Sequence, residues 1–286
     1  MNFALKNLRG RQMRKVGLRI LLTTIWWLSG NMIGMAQISE GEIRADINRV
    51  ARASHGIDFM SGAEIRNILA KIKSTPSEYL SVIRQDLVLP AANDSLADRN
   101  YIDYYECLTT LAWQIGNQEA KDLLKQTYFA TAERLESLRT ELSIAKEISA
   151  PPEEIDLIES AEGAVIYFQG DIIRHLTSLK DNSILSDCLD RIESESHTIL
   201  YPVMFDYFEE VGVEDATVRS RLEAMFLDAN SPFYDHPRLE ITLVNLGSQL
   251  FVPPSLISLD PDTVTIGSGD FTLTVMGTNF FNGAAV

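Results

Sequence analysis

Four histidines, His55, His175, His197 and His236, are the side chains best suited to move a proton or hold a metal at neutral pH. None stands in a His-Glu-x-x-His, His-x-His or Cys-x-x-Cys spacing, so the chain carries no zinc-type ligand pattern. His197 follows Glu193-Ser194-Glu195-Ser196. Four residues along a helix bring Glu193 and His197 to one face, and a surface contact is the expected result. Gly267-Ser268-Gly269 lacks the spacers of a nucleophile elbow and precedes a strand, so it reads as a turn. No glycine-rich phosphate loop is present. Asp260, Asp262 and Asp270 surround Pro261. Calcium uses such oxygens, but aspartate is also a common turn former. Glu153, Glu154 and Asp156 follow Pro151-Pro152, where acidic groups complement a helix start and need no acid/base role. Tyr101, Tyr105 and Trp113, with Tyr104 beside them, could line a sugar groove. Their spacings of four and eight lie on one helical face, which points to core packing. The two cysteines, Cys107 and Cys188, fall on separate expected helices; a disulfide and two buried thiols both remain open. The sequence therefore assigns no catalytic, cofactor-binding or metal-binding residue.

The chain that must position these residues has 286 of them, enough for one large domain or two ordinary ones. It is 45% apolar and 23% charged, which is globular in character. Formal net charge is −15. Residues 1–39 hold six basic side chains and no acidic one, so the remainder carries −21. A surface of that sign repels phosphate backbones, and no nucleic-acid partner is expected. Lys6, Arg9, Arg11, Arg14, Lys15 and Arg19 precede the apolar run from Ile20 to Leu28, and Gly34-Met35-Ala36 supplies a small-x-small site. These are the three parts of a secretory signal peptide spanning 1–36, with cleavage expected after Ala36. An uncleaved anchor competes with this reading, although 17 interrupted residues fall short of the roughly 20 a spanning helix needs. A buried first helix must explain two adjacent Trp beside six basic residues. The expected address is exported: periplasm, cell surface or medium, with membrane contact only through an uncleaved signal.

Residues 40–230 read as a helical domain. Ile43, Ile47, Val50 and Ala51 form one stripe, and Ile65, Ile68, Leu69 and Ile72 another behind the capping box Ser61-Gly62-Ala63-Glu64. Thr75-Pro76-Ser77-Glu78 has the look of a second capping box with Pro at the first helical position. A long helix is expected from about Tyr101 to Ile115, broken at Gly116-Asn117, then another from Gln118. Pro151-Pro152 marks the next start, running to Gly170, with a further helix from Asp171. Pro202 demands a kink or restart near Tyr201. Gly116, Gly170 and Gly212 each follow a helical run, at spacings of 54 and 42 residues. That organisation resembles a short HEAT-like stack of helical hairpins; a non-repeating bundle is the alternative.

Residues 231–252, opening with Ser231-Pro232-Phe233-Tyr234-Asp235-His236-Pro237, read as a linker, with a short helix as an alternative over part of it. After it the composition turns to strand. Phe271, Leu273 and Val275 alternate with threonines, and Gly267-Ser268-Gly269-Asp270 makes the connection before them. Pro254, Leu256, Ser258-Leu259-Asp260-Pro261, Gly277-Thr278-Asn279-Phe280 and Gly283 complete a pattern that resembles the start of an IPT/TIG domain. The resemblance implies an immunoglobulin-like sandwich across 253–286. Such a sandwich needs about 80–100 residues and roughly seven strands, so the chain reads as a fragment of a longer protein.

The expected fold class is therefore mainly α followed by a truncated all-β segment. The expected function is that of an exported, non-catalytic modular protein of bacterial type, since modules resembling IPT/TIG generally act as spacers and adhesion or interaction units. Its partner would be a protein or a cell-surface component, and no cofactor is implied. The alternative is an exported all-α hydrolase or lyase with a carboxylate-based site. A deep pocket with facing carboxylates would separate the two.

Overall fold

The structure, a computed structural model, describes residues 38–54, 58–89, 95–194, 199–251, 255–263 and 272–278. The expected signal peptide, His55, His197, the Gly267–Gly269 turn with Asp270 and Phe271, and Asn279, Phe280 and Gly283 lie outside these residues, as do the side chain of Tyr101 and those of its neighbours to 103.

Ten α-helices are present among the described residues: α1 Glu40–Ser54, α2 Gly62–Ser74, α3 Pro76–Asp86, α4 Ser95–Ile115, α5 Gln118–Glu147, α6 Pro152–Ser178, α7 Leu185–Ser194, α8 Tyr201–Val211, α9 Ala216–Leu227 and α10 Pro237–Asn245. The chain divides into two compact units. One holds the residues up to Ile184 together with a stretch ending at Val203; the other holds Leu185–Glu195 and the chain from Met204 onward.

In the first unit, local rules place most helix ends. The Ser61 hydroxyl accepts from the Glu64 backbone N–H at 3.3 Å while the Glu64 carboxylate accepts from the Ser61 N–H at 2.8 Å, a closed capping box. Ser39 and Glu42 repeat the same exchange at the start of α1, at 3.3 and 2.9 Å. The box expected at Thr75 does not form. Thr75 turns its hydroxyl back to the Lys71 carbonyl at 3.0 Å, and α3 starts on Pro76 alone. Gly116, at φ +63°, ends α4, and the Asn117 side chain caps α5 by accepting from the Ala120 N–H at 2.9 Å.

α6 departs from expectation. It runs unbroken through Gly170, so that glycine ends nothing and the middle member of the glycine series sits inside a helix. Buried Ile158, Ala161, Val165, Phe168, Ile172, Ile173 and Leu176 keep the chain helical there, because a break would expose them. α6 packs on α5, where the Gln169 amide donates to the Thr131 hydroxyl at 3.4 Å, and on α4, where the Tyr105 and Phe168 rings lie 6.1 Å apart. The ends of α5 and α6 use residues other than glycine: Ser149 at φ 54° and Lys180 at φ 50° take the left-handed position, and the Ala150 and Asp181 N–H groups reach back to the Ala145 and Leu176 carbonyls.

α8, whose first three residues fall in the first unit and the rest in the second, restarts at Tyr201 with Pro202 in its first turn, as the proline requires. Met204, Phe205, Tyr207 and Phe208 of α8 are buried, with Leu222 of α9, Phe233, Leu239 and Leu243. The stretch 231–252 is thus not a bare connection. α10 occupies its middle, and Phe233, 1% exposed, contributes to the core with its ring edge-on to Phe205 at 5.8 Å. Beyond it, β1 Ser255–Asp260 pairs antiparallel with β2 Thr274–Thr278, in register Leu259↔Val275 and Ser258↔Met276, with a bulge between Leu256 and Ser258. This pair of strands is the only β structure among the described residues of the stretch 253–286, where the start of a sandwich is expected.

Candidate interaction site

Within the first unit, carboxylates act as ties between helices. Asp46 of α1 accepts from the Tyr79 hydroxyl of α3 at 2.7 Å and from the Lys71 ammonium of α2 at 2.9 Å. Asp86, at the end of α3, accepts from Arg44 of α1 and from the Tyr104 hydroxyl of α4 at 2.9 Å. Burial, and then the neighbouring Asp46, raises the Tyr79 phenol above its ordinary range; burial and then Asp86 do the same to Tyr104. A phenol held protonated is a donor to its carboxylate, and both aspartates are spent on structure. Arg134, almost fully buried, reaches Glu141 at 2.9 Å on its own helix, and Arg139 bridges α5 to Glu162 of α6 at 3.1 Å.

Between α1, α2 and α4 lies a cavity of about 20 Å³, lined by Val50, Ala53, Met60, Ile65, Ile68, Leu69, Thr110, Leu111 and Gln114. Of these only Thr110 and Gln114 are polar, and no carboxylate or histidine lines it. On a scale where one water needs roughly 10–15 Å³, the space is small and apolar. Behind it, His175 of α6 is buried, stacks on Trp113 with ring centres 5.3 Å apart, and lies 3.5 Å from the Thr110 hydroxyl. Phe59, the chain neighbour of Met60, is 87% exposed.

In the second unit Glu209 of α8 accepts from the Thr242 hydroxyl at 2.7 Å, from the Asn245 amide at 2.7 Å and from Arg238. Burial alone would raise this carboxyl; the bonds from Thr242, Arg238 and Asn245 outweigh it and hold it below the usual carboxylate range. Arg238 also pairs with Asp206 at 2.6 Å and stands over the Phe205 ring at 5.8 Å. His236 caps α10 through Nδ1, accepting from the Leu239 N–H at 3.4 Å. The hairpin is open: Ile257 is 68% exposed and Met276 56%, with Leu259 and Leu273 also in solvent.

The residues weighed from sequence fall into structural places. Glu153 and Glu154 are exposed in the first turn of α6, and Asp156 is exposed just after it. Asp260 and Asp262 are exposed at the turn after β1, and no group of three metal-capable side chains occurs among the described residues. Glu193 accepts from Arg221 of α9 at 2.9 Å. Tyr105 is buried, its hydroxyl donating to the Val88 carbonyl at 2.6 Å, and Trp113 is half-buried against His175. Cys107 and Cys188 are both buried and neither takes part in a disulfide; burial pushes the Cys107 thiol up to about 12. The Tyr79–Asp46 tie spans 33 positions and Phe59 is a lone aromatic, so neither had a sequence signal. No helix among the described residues is long and apolar enough to cross a membrane. No protein-family model, curated protein or solved structure matches the chain.

Proposed function

We propose that this is an exported, non-catalytic protein of the cell surface or medium, whose helical body serves protein interaction or adhesion and whose carboxyl-terminal strands begin an IPT/TIG-like module. The observation that carries the reading is the composition of the cavity between α1, α2 and α4. Its lining holds no ionisable group, while Asp46, Asp86 and Glu209 are committed to neighbouring helices. A hydrolase or lyase of the carboxylate kind needs facing acidic groups over a space for substrate, and this cavity does not supply them. The strand pair, with Ile257, Leu259, Leu273 and Met276 in solvent, supports an interaction role, since apolar side chains gathered in water favour a covering partner. The basic and apolar opening supports export, and the antiparallel run of helices α4, α5 and α6 is compatible with a HEAT-like body even though Gly170 does not end a helix.

The experiment is protease shaving of intact cells together with mass spectrometry of the amino terminus. The expected result is release of peptides from residues 40–251 and a mature end at Gln37. An intact Met1 on a protein recovered only from lysed cells would refute export. A photo-crosslinker in place of Met276, used on intact cells, is expected to capture a protein, and cross-linking to nothing would refute the interaction role of the hairpin.

A further inference from the structure

α10 begins on an uncommon cap. Ser, Thr, Asp and Asn are the side chains that usually accept from the first turn of a helix, and their oxygens go on accepting when the solution is mildly acidified. Here the acceptor is an imidazole nitrogen. His236 Nδ1 takes the Leu239 N–H at 3.4 Å, with Pro237 at the first helical position. A ring nitrogen accepts only while it carries no proton. The neutral ring with its hydrogen on Nε2 makes the cap. The imidazolium, with N–H on both sides, turns a donor toward a donor. At 3.4 Å the bond is also long, so it opposes that change weakly.

The ring stands where α10 closes on α8. Its centre lies 5.8 Å from that of Phe233 and 6.1 Å from that of Phe205, and both of those rings are buried. Phe205 already has the Arg238 guanidinium at 5.8 Å, so a charged His236 would share that ring with a second cation. A helix start disfavours positive charge as well. The charged groups around the ring are spoken for or exposed. Asp235 and Glu240, its neighbours in the chain, are exposed. Asp206 and Glu209 of α8 both hold Arg238. On the side of α9, Asp228 accepts from the Asn230 N–H, Glu223 from the Ser248 hydroxyl, and Arg219 donates to the Leu246 carbonyl. Among the described residues no carboxylate pairs with the ring. Such charges influence where the ring takes its second proton, but they cannot return an acceptor to Nδ1.

We infer that His236 is a pH-operated clasp: the neutral ring fastens the first turn of α10 against Phe205 and Phe233, and the protonated ring releases that turn while the rest of the second unit stays folded. This reaches beyond the proposed function and does not rest on it. The test is hydrogen–deuterium exchange of the full chain at about pH 8 and about pH 5, the span over which imidazoles change charge, with intrinsic exchange corrected for. Glu209, already held below the usual carboxylate range, stays ionised throughout. Protection of the peptide covering Leu239, Glu240 and Ile241 is expected to fall by at least about threefold at the lower pH, the low end for a cap residue, while α9 is unchanged. His236→Asn, whose amide oxygen accepts at both pH values, should keep protection high at both; His236→Ala should be low at both. Nitrogen NMR of the parent at about pH 8 should show the hydrogen on Nε2. Parent protection indifferent to pH, an Asn variant with the parent's pH response, or a hydrogen found on Nδ1 at the higher pH overturns the inference, and the parent series alone is decisive if a variant does not fold.

Discussion

Gly170 and Gly212 show how the same residue type answers to different local demands. Gly170 lies within α6, and a Cβ added there would meet Leu200 at 3.5 Å, an ordinary contact. Gly212 follows α8, and a Cβ there would meet the Phe208 carbonyl oxygen at 2.7 Å. Gly170→Ala should therefore stabilise by about 0.5–1 kcal/mol, through helix propensity and a less mobile unfolded chain. Gly212→Ala should destabilise by about 1–3 kcal/mol, because backbone must shift. Urea unfolding of the two variants checks both signs, and a loss at position 170 would mean that α6 does break there. From sequence all three glycines looked alike, since type alone does not reveal φ or what stands opposite. The same blindness hid the ends of α5 and α6, where Ser149 and Lys180 take positive φ without being glycine. Ser149→Gly should relieve that strain and stabilise by about 1 kcal/mol in the same assay.

At the scale of elements, periodicity located the helices well. The stripes Ile43–Ile47–Ala51 and Ile65–Ile68–Leu69–Ile72 are buried as expected, and Pro202 restarts α8 where its ring dictates. What periodicity could not supply is the set of ties between helices. Tyr79 and Asp46 belong to α3 and α1, and no local pattern announces that a tyrosine will spend its hydroxyl on an aspartate two helices earlier. Tyr79→Phe should cost about 1.5 kcal/mol, the low end for a bond to a charged group because Lys71 still holds Asp46. Phe168→Ala, in the buried stripe of α6, should cost about 3–5 kcal/mol. Thermal or urea unfolding separates the two magnitudes. In the stretch 231–252 the Pro-rich opening resembles a connection, the short helix that was the alternative forms over Pro237–Asn245, and the burial of Phe233, Leu239 and Leu243 is what no local pattern announces.

For the whole molecule, charge makes stability depend on pH in a defined direction. Bonds from Ser39 hold Glu42 low, Arg52 does so for Asp58, Ser61 for Glu64, and Thr242, Arg238 and Asn245 outweigh burial at Glu209. A carboxyl held below its unfolded value contributes in full above that value, near 4.5 for glutamate, and loses its contribution as pH falls through the folded one, about 2 for Glu64. Relief of the −15 self-repulsion acts oppositely as pH drops toward the isoelectric point near 4.7. The melting temperature of the 286-residue chain should therefore peak just above pH 4.7, that of a chain without the six basic side chains of residues 1–36 somewhat lower, and both should fall as pH drops from about 4.5 to 2. Glu64→Gln should flatten part of that acid limb without moving the peak. A melting temperature that keeps rising below pH 4 would contradict this balance.

Cys107 belongs to the first unit and Cys188 to the second, and each is hidden from water. A maleimide added under native conditions can reach either sulfur only during a transient opening, so labelling rates become two separate clocks, one per unit, that need no engineered probe. The ratio of their ticks would tell whether the halves breathe together or apart.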